Sequence, residues 1–86
     1  MTVTVVDLFC GGGGFSEGAR RAGCNVVLAV DCDVQALKVH NANHPDAEHV
    51  ATTLPSNDAV PRIVAHIARG AHVHASPPCQ KLSQAN

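Results

Sequence analysis

Aromatic side chains are almost missing from this chain: of 86 residues two are Phe and none is Tyr or Trp. The hydrophobic fraction is nonetheless 45%, drawn mostly from Ala, Val, Leu and Ile. That argues against disorder and suits a parallel sheet covered by helices. An excess of positive charge is missing too. Six Lys and Arg against seven Asp and Glu give a net charge of −1, and the basic residues are scattered. A free-standing nucleic-acid-binding module gathers a basic face for phosphates, so any grip on nucleic acid must come from other protein. The cysteines are Cys10, Cys24, Cys32 and Cys79, and no two form a C-x-x-C pair. There is no signal-peptide pattern and no transmembrane run, so reduced thiols inside a cell are expected rather than a secreted protein. His72 and His74 share one strand face, yet no third ligand accompanies them, and no metal site is expected. At 86 residues the chain is one small domain at most.

What remains is a regular alternation. Thr2 to Leu8 is rich in Val and Thr and reads as a strand. After Gly11–Gly14 a helix is expected over Phe15–Ala22, with Phe15, Ala19 and Ala22 on its apolar face and Gly23 as its stop. Glu17 near its start and Arg20 and Arg21 near its end suit the helix dipole. Asn25 to Val30 is a nearly continuous apolar run, read as a buried second strand ending at Asp31. Asp33 caps a helix over Val34–Asn43, with Val34, Ala36 and Leu37 apolar, and Pro45 prevents its continuation. A short strand is expected at Glu48–Ala51. Asp58 then reads as an N-cap, with Pro61 in the first helical turn and Ile63, Val64, Ile67 and Ala68 as the buried stripe. Gly70 closes this helix. Val73 to Ala75 form a fourth strand, and Ser76 to Asn86 a polar loop. The order β-α-β-α-β-α-β implies an α/β, Rossmann-like parallel sheet with helices on both faces.

The segment from Asp7 to Phe15, with glycines at 11 to 14, joins the first strand to the first helix. Glycines there allow close approach of a ligand, and the helix N-terminus offers free N–H groups. A phosphate-binding P-loop is excluded, because Ala19 and Arg20 follow Gly18 where Lys and Ser or Thr belong. The dinucleotide fingerprint G-x-G-x-x-G also fails: its third glycine falls on Ser16 or Glu17. Asp31 ends the second strand, 20 residues beyond Gly11 (31 − 11 = 20), where an acidic side chain can bind ribose hydroxyls. Nucleoside-containing cofactors are favoured; this spacing does not separate S-adenosylmethionine from NAD. Ser76-Pro77-Pro78-Cys79-Gln80 follows the fourth strand directly. Its prolines stiffen an extended backbone that could aim a thiol into the same cleft.

Together these segments resemble the DNA cytosine-C5 methyltransferases. Asp7 to Gly18 is similar to that family's first motif, Val30-Asp31-Cys32-Asp33 to the acidic end of its second strand, and Ser76 to Gln80 to its Pro-Cys motif. The resemblance spans residues 1–86 as the front, cofactor-binding part of the catalytic domain, with the target-recognition part absent. It implies an incomplete S-adenosylmethionine-dependent methyltransferase fold. It also implies transfer of a methyl group from S-adenosylmethionine to C5 of cytosine in DNA. The cofactor would be held by Asp7, Phe9, Cys10, Gly11, Gly13, Gly14, Phe15, Asp31, Cys32 and Pro78. Asp31 would bind its ribose, Cys32 would lie beside its adenine, and Cys79 would be the nucleophile toward a flipped-out base. The implied setting is restriction–modification or a related role, in a bacterial or phage-infected cytoplasm or a eukaryotic nucleus.

The chain departs from the family pattern in three places. The acidic residue that contacts adenine after the third strand is replaced by Ala51-Thr52-Thr53-Leu54, so that either adenine recognition differs or Asp46 or Glu48 is displaced into the role, with neither alternative favoured. Leu82 stands where Phe is common. The family's assisting glutamate, its arginine motif and its DNA-reading region are not among these residues, so the chain alone is expected to be inactive. Two other readings remain open. One is a non-catalytic S-adenosylmethionine-binding protein, or half of a split methyltransferase completed by a second chain. The other is a nicotinamide-dependent fold with a redox thiol.

Overall fold

The computed structural model of this chain describes residues 2–76. Strands and helices alternate in the order β1 (Thr4–Leu8), α1 (Gly14–Arg21), β2 (Asn25–Asp31), α2 (Val34–Asn43), β3 (Glu48–Ala51), α3 (Ala59–Ala68) and β4 (His72–Ala75). The strands are all parallel and ordered β3-β2-β1-β4. The chain therefore steps outward from β1 to β3 and returns to the other side of β1. This reversal between β1 and β4 is a topological switch point, with the ligand crevice of such sheets at its carboxyl end.

Burial follows from strand alternation. Val6, Leu28, Val30 and Val50 form a cluster with Ala59, and Leu8, Leu54 and Ile63 pack against it, so the N-terminal half of α3 meets this face. On the opposite face Ala29 packs with Cys10 and Leu37 of α2, and Asp7 meets Ser16 of α1. Between Val5 and Val6 the pairing slips by one residue, leaving Val27 without a partner on β1. Leu28 and Val30 are thereby set beside Val6 and Leu8.

The stops and one cap stand where the sequence sets them. Gly23 and Gly70 have φ of 90° and 92°, a backbone that favours glycine just past a helix. Asp33 accepts from the N–H groups of Gln35 and Ala36 at 3.0 and 3.2 Å. The helix faces differ from expectation. On α1, Phe15 and Ala22 are exposed and the buried residue is Ser16. On α2, Val34 is exposed, while Leu37 and His40 are buried. On α3 the expected stripe is not buried: Val64 and Ile67 are 57% and 49% exposed. Ala59 is its buried residue, with Ile63 partly covered. Asp58 makes no side-chain cap; Ser56 Oγ accepts from Ala59 N–H at 2.9 Å instead. Asp58 is drawn off toward Arg62, which also pairs with Glu48.

Candidate functional site

At the carboxyl end of β1 the chain turns through a tight, glycine-rich loop. Phe9 takes φ +57°, a left-handed conformation that costs a non-glycine residue free energy and persists only where its surroundings enforce it. Cys10 N–H donates to Val30 O at 3.2 Å, and Gly13 N–H closes a turn onto Cys10 O at 3.1 Å. Gly11 has φ +55°, and its N–H donates to Asp31 Oδ2 at 2.8 Å. The other carboxylate oxygen of Asp31 accepts from Asp33 N–H at 2.9 Å. The fold thus brings together the glycine loop and the acidic residue 20 positions later.

The space around this contact is open. A β-carbon at Gly11, Gly12 or Gly14 would meet nothing within 4 Å, so a ligand can approach the backbone there. Asp31 is half-buried, Cys32 and Gly14 are exposed, and Phe15 is exposed at the start of α1. Phe15 stacks on His74 of β4, ring centroids 3.7 Å apart and planes within 5°. His74 in turn hydrogen-bonds Ser76 Oγ at 2.7 Å. Ser76 N–H reaches Leu8 O at 3.4 Å, so the residue three positions before Cys79 sits beside the root of the glycine loop. Pro78 and Cys79 lie outside the described residues.

Two members of the expected set turn their side chains inward. Asp7 is 1% exposed, its Oδ2 accepting the Ser16 hydroxyl at 2.6 Å. Burial raises its pKa above the ordinary carboxylate value, opposed by the Ser16 hydrogen bond. Cys10 is buried against Ala29 and Leu37. Burial, reinforced by the charges of Asp7 and Asp31, pushes its thiol up to about 12, so it stays protonated and unreactive. These two residues shape the loop from beneath. Of the two alternatives for adenine contact, displacement of Asp46 or Glu48 into the site does not occur. Asp46 and Glu48 stand at the amino end of β3, and Glu48 is occupied by Arg62. At the carboxyl end it is Ala51 that stands beside Asp31.

Motif reasoning missed a buried polar chain behind the loop. Ser16 Oγ lies 2.8 Å from His40 Nε2, and His40 Nδ1 lies 2.7 Å from His49 Nε2. Since the Ser16 hydroxyl donates to Asp7, its oxygen accepts from His40 Nε2–H, and His40 Nδ1 accepts from His49 Nε2–H. Burial, then the nearby His49 and His44, lower the His40 pKa to about 4, which keeps the ring neutral as this pattern requires. One sequence signal could have exposed the chain: Asp7 occupies an inward position of an apolar strand, where an acidic side chain needs a partner. Among the described residues no group of three His, Cys, Asp or Glu is placed to hold a metal ion, and no helix is long and apolar enough to cross a membrane.

Comparison with known proteins gives a consistent answer. The family model for C-5 cytosine-specific DNA methylase matches residues 3–86. The Type II methyltransferase M.AgeI of Thalassovita gelatinovora is 39% identical over 83 residues, covering 91% of this chain and 19% of its own length. M1.HphI of Haemophilus parahaemolyticus is 39% identical over 88 residues, covering 99% of this chain and 23% of its own. The chain thus spans about a fifth of the length of these relatives. In the crystal structure of a DNA modification methyltransferase encoded within an E. coli prophage, 92% of this chain superposes on 23% of that one, with a TM-score of 0.70 and 34% identity. Spodoptera frugiperda DNMT2, in mutant form, superposes with a TM-score of 0.71 at 22% identity, over 91% of this chain and 23% of that one; it supports the fold alone.

Proposed function

This chain belongs to the C-5 cytosine-specific DNA methylase family, and we propose that it is the S-adenosylmethionine-binding front of an enzyme that methylates C5 of cytosine in DNA. The observation that carries this reading is the Gly11 N–H to Asp31 contact of 2.8 Å. It puts an acidic acceptor beside an open glycine loop, where a nucleoside ribose is recognised in such sheets. Asp31 retains lone pairs for ribose hydroxyls beyond the two N–H groups it already accepts. Phe9, Gly11, Gly13, Gly14 and Phe15 border the ligand and Cys32 flanks its adenine; Pro78 is assigned to the cofactor site by the family resemblance alone. Asp7 and Cys10 contribute from beneath, through the backbone they support. The cofactor supplies an electrophilic methyl group on a sulfonium. Cys79 supplies the nucleophile: its thiolate bonds to C6 of a flipped-out cytosine, making C5 electron-rich. After C5 is methylated it loses its proton to a base, the Cys79–C6 bond breaks, and the thiolate returns.

DNA is the substrate, and a grip supplied by protein outside these residues fits their net charge of −1. Restriction–modification is the biological role that the Type II relatives support, and a bacterial or phage-infected cytoplasm is the setting that fits it. Incubation with methyl-labelled S-adenosylmethionine and DNA tests the reading. Protein isolated from its source incorporates label into cytosine, and Cys79→Ala abolishes it. The 86-residue chain alone incorporates none; label in cytosine from that chain would overturn this division of labour. A second reading, half of a split enzyme, draws on the one-fifth coverage of the relatives. An intact mass near 8.9 kDa, together with a co-purifying second chain, would favour it.

A further inference from the structure

Side chains clamp the glycine loop at two places, and only one of these faces the proposed ligand. At the front, Asp31 holds Gly11 N–H. At the rear lies the buried chain Asp7–Ser16–His40–His49, whose links of 2.6, 2.8 and 2.7 Å join β1, α1, α2 and β3. Ser16 and His40 are fully enclosed. His40 does more than complete the chain, for its ring lies directly beneath Gly13. A β-carbon there would sit 3.0 Å from His40 Cδ2 and 3.6 Å from Nε2. Gly13 in turn begins α1: its φ is 106°, and its carbonyl accepts the helix's first hydrogen bond, from Glu17 N–H at 2.9 Å. The imidazole therefore touches the loop by packing and grips the first turn of α1 through Ser16.

From this juxtaposition we infer that His40 is a positioning residue for S-adenosylmethionine binding, setting the height of Gly13 and the start of α1 through Ser16. The inference rests on the cofactor reading above. His40 touches no ligand. It fixes where the backbone of Gly13 and Gly14 meets one, and an error there weakens cofactor binding without altering chemistry at the cytosine ring.

Two substitutions in the protein as isolated from its source separate this role from a general structural one. His40→Leu fills similar space without a hydrogen bond; His40→Gln keeps an N–H donor and a carbonyl acceptor. His40→Leu is expected to raise Kd for S-adenosylhomocysteine and KM for S-adenosylmethionine about tenfold, the worth of one buried hydrogen bond. Its kcat at saturating cofactor and its KM for DNA stay near wild type, and His40→Gln restores most of the loss. Unchanged cofactor affinity, or equal losses in kcat and in both KM values, would overturn the inference. A measurement on the wild type serves if the leucine variant does not fold. In ring 15N NMR, saturation with S-adenosylhomocysteine shifts the His40 Nε2 signal together with the Gly11 amide. A shifted Gly11 amide with an unmoved His40 ring contradicts the positioning role. If neither moves because nothing binds, the cofactor reading itself fails and this inference falls with it.

Discussion

Two glycines of the loop separate backbone strain from crowding. Gly11 and Gly13 both have positive φ, but a β-carbon at Gly11 meets open space and one at Gly13 meets His40. Gly11→Ala is therefore expected to cost about 1 kcal/mol, the penalty of a left-handed L-residue. Gly13→Ala adds overpacking against an enclosed ring, about 1–3 kcal/mol more. Urea midpoints of the two variants check the order, and equal values would contradict it. His40 predicts a pH dependence. Its ordinary pKa of about 6.5 applies to the unfolded chain, and its folded value falls to about 4. Between these values the unfolded state binds a proton that the folded state does not. The contribution is therefore whole above pH 6.5 and declines as pH falls toward 4, by about 3 kcal/mol at most. Asp7, with its raised pKa, works the opposite way, contributing at low pH and losing that contribution as pH rises through its folded value. Comparing wild type with His40→Gln isolates the histidine. Denaturation at pH 7 and pH 5 is expected to show a steeper acid loss in wild type, and parallel losses would refute the assignment.

Among the elements, the boundaries were legible and the faces less so. Asp33, Gly23, Pro45 and Gly70 each act through local backbone chemistry, and all punctuate the structure where the sequence puts them. Helix faces were read from apolar periodicity, which cannot register a polar residue buried with its partner. Hence Phe15 and Ala22 were expected inside and Ser16 was not, although Ser16 is the enclosed residue of α1. His40 escaped for the same reason; it lies three positions after Leu37, on the inward side of α2. Asp58 stands at the N-cap position of α3 as the sequence indicates but makes no side-chain cap; Asp58 and Ser56 both suit that bond, and only geometry shows Ser56 Oγ on Ala59 N–H. Ser56→Ala is expected to cost about 1 kcal/mol, and Asp58→Ala less than about 0.5 kcal/mol because its ion pair is exposed. Thermal unfolding of the two variants distinguishes these assignments; the reverse order would restore Asp58 as the cap.

For the molecule as a whole, the sheet gathers sequence-distant segments at one end. Asp31 reaches Gly11, His74 stacks on Phe15, and Ser76 sits beside Leu8, all at the carboxyl ends of β1, β2 and β4. The motif order foretold this convergence, because parallel strands with alternating helices leave their outgoing loops on one edge. The exposure on α3 was not foretold. Val60, Val64 and Ile67, with Val73 of β4, leave apolar surface uncovered within the described residues. Packing against elements absent from a local pattern cannot be read from that pattern. The 86-residue chain by itself is expected to self-associate through such surface, and Val64→Glu with Ile67→Glu to reduce that association in sedimentation velocity.

In the proposed reading the glycine loop and Asp31 form an S-adenosylmethionine site. Calorimetric titration of S-adenosylhomocysteine into the protein as isolated from its source, with NAD as competitor and Asp31→Ala as control, tests it most directly. Saturable binding is expected that NAD does not displace and that Asp31→Ala weakens about tenfold or more, since a paired ribose contact is lost. Binding unaffected by Asp31→Ala, or displaced by NAD, would contradict it.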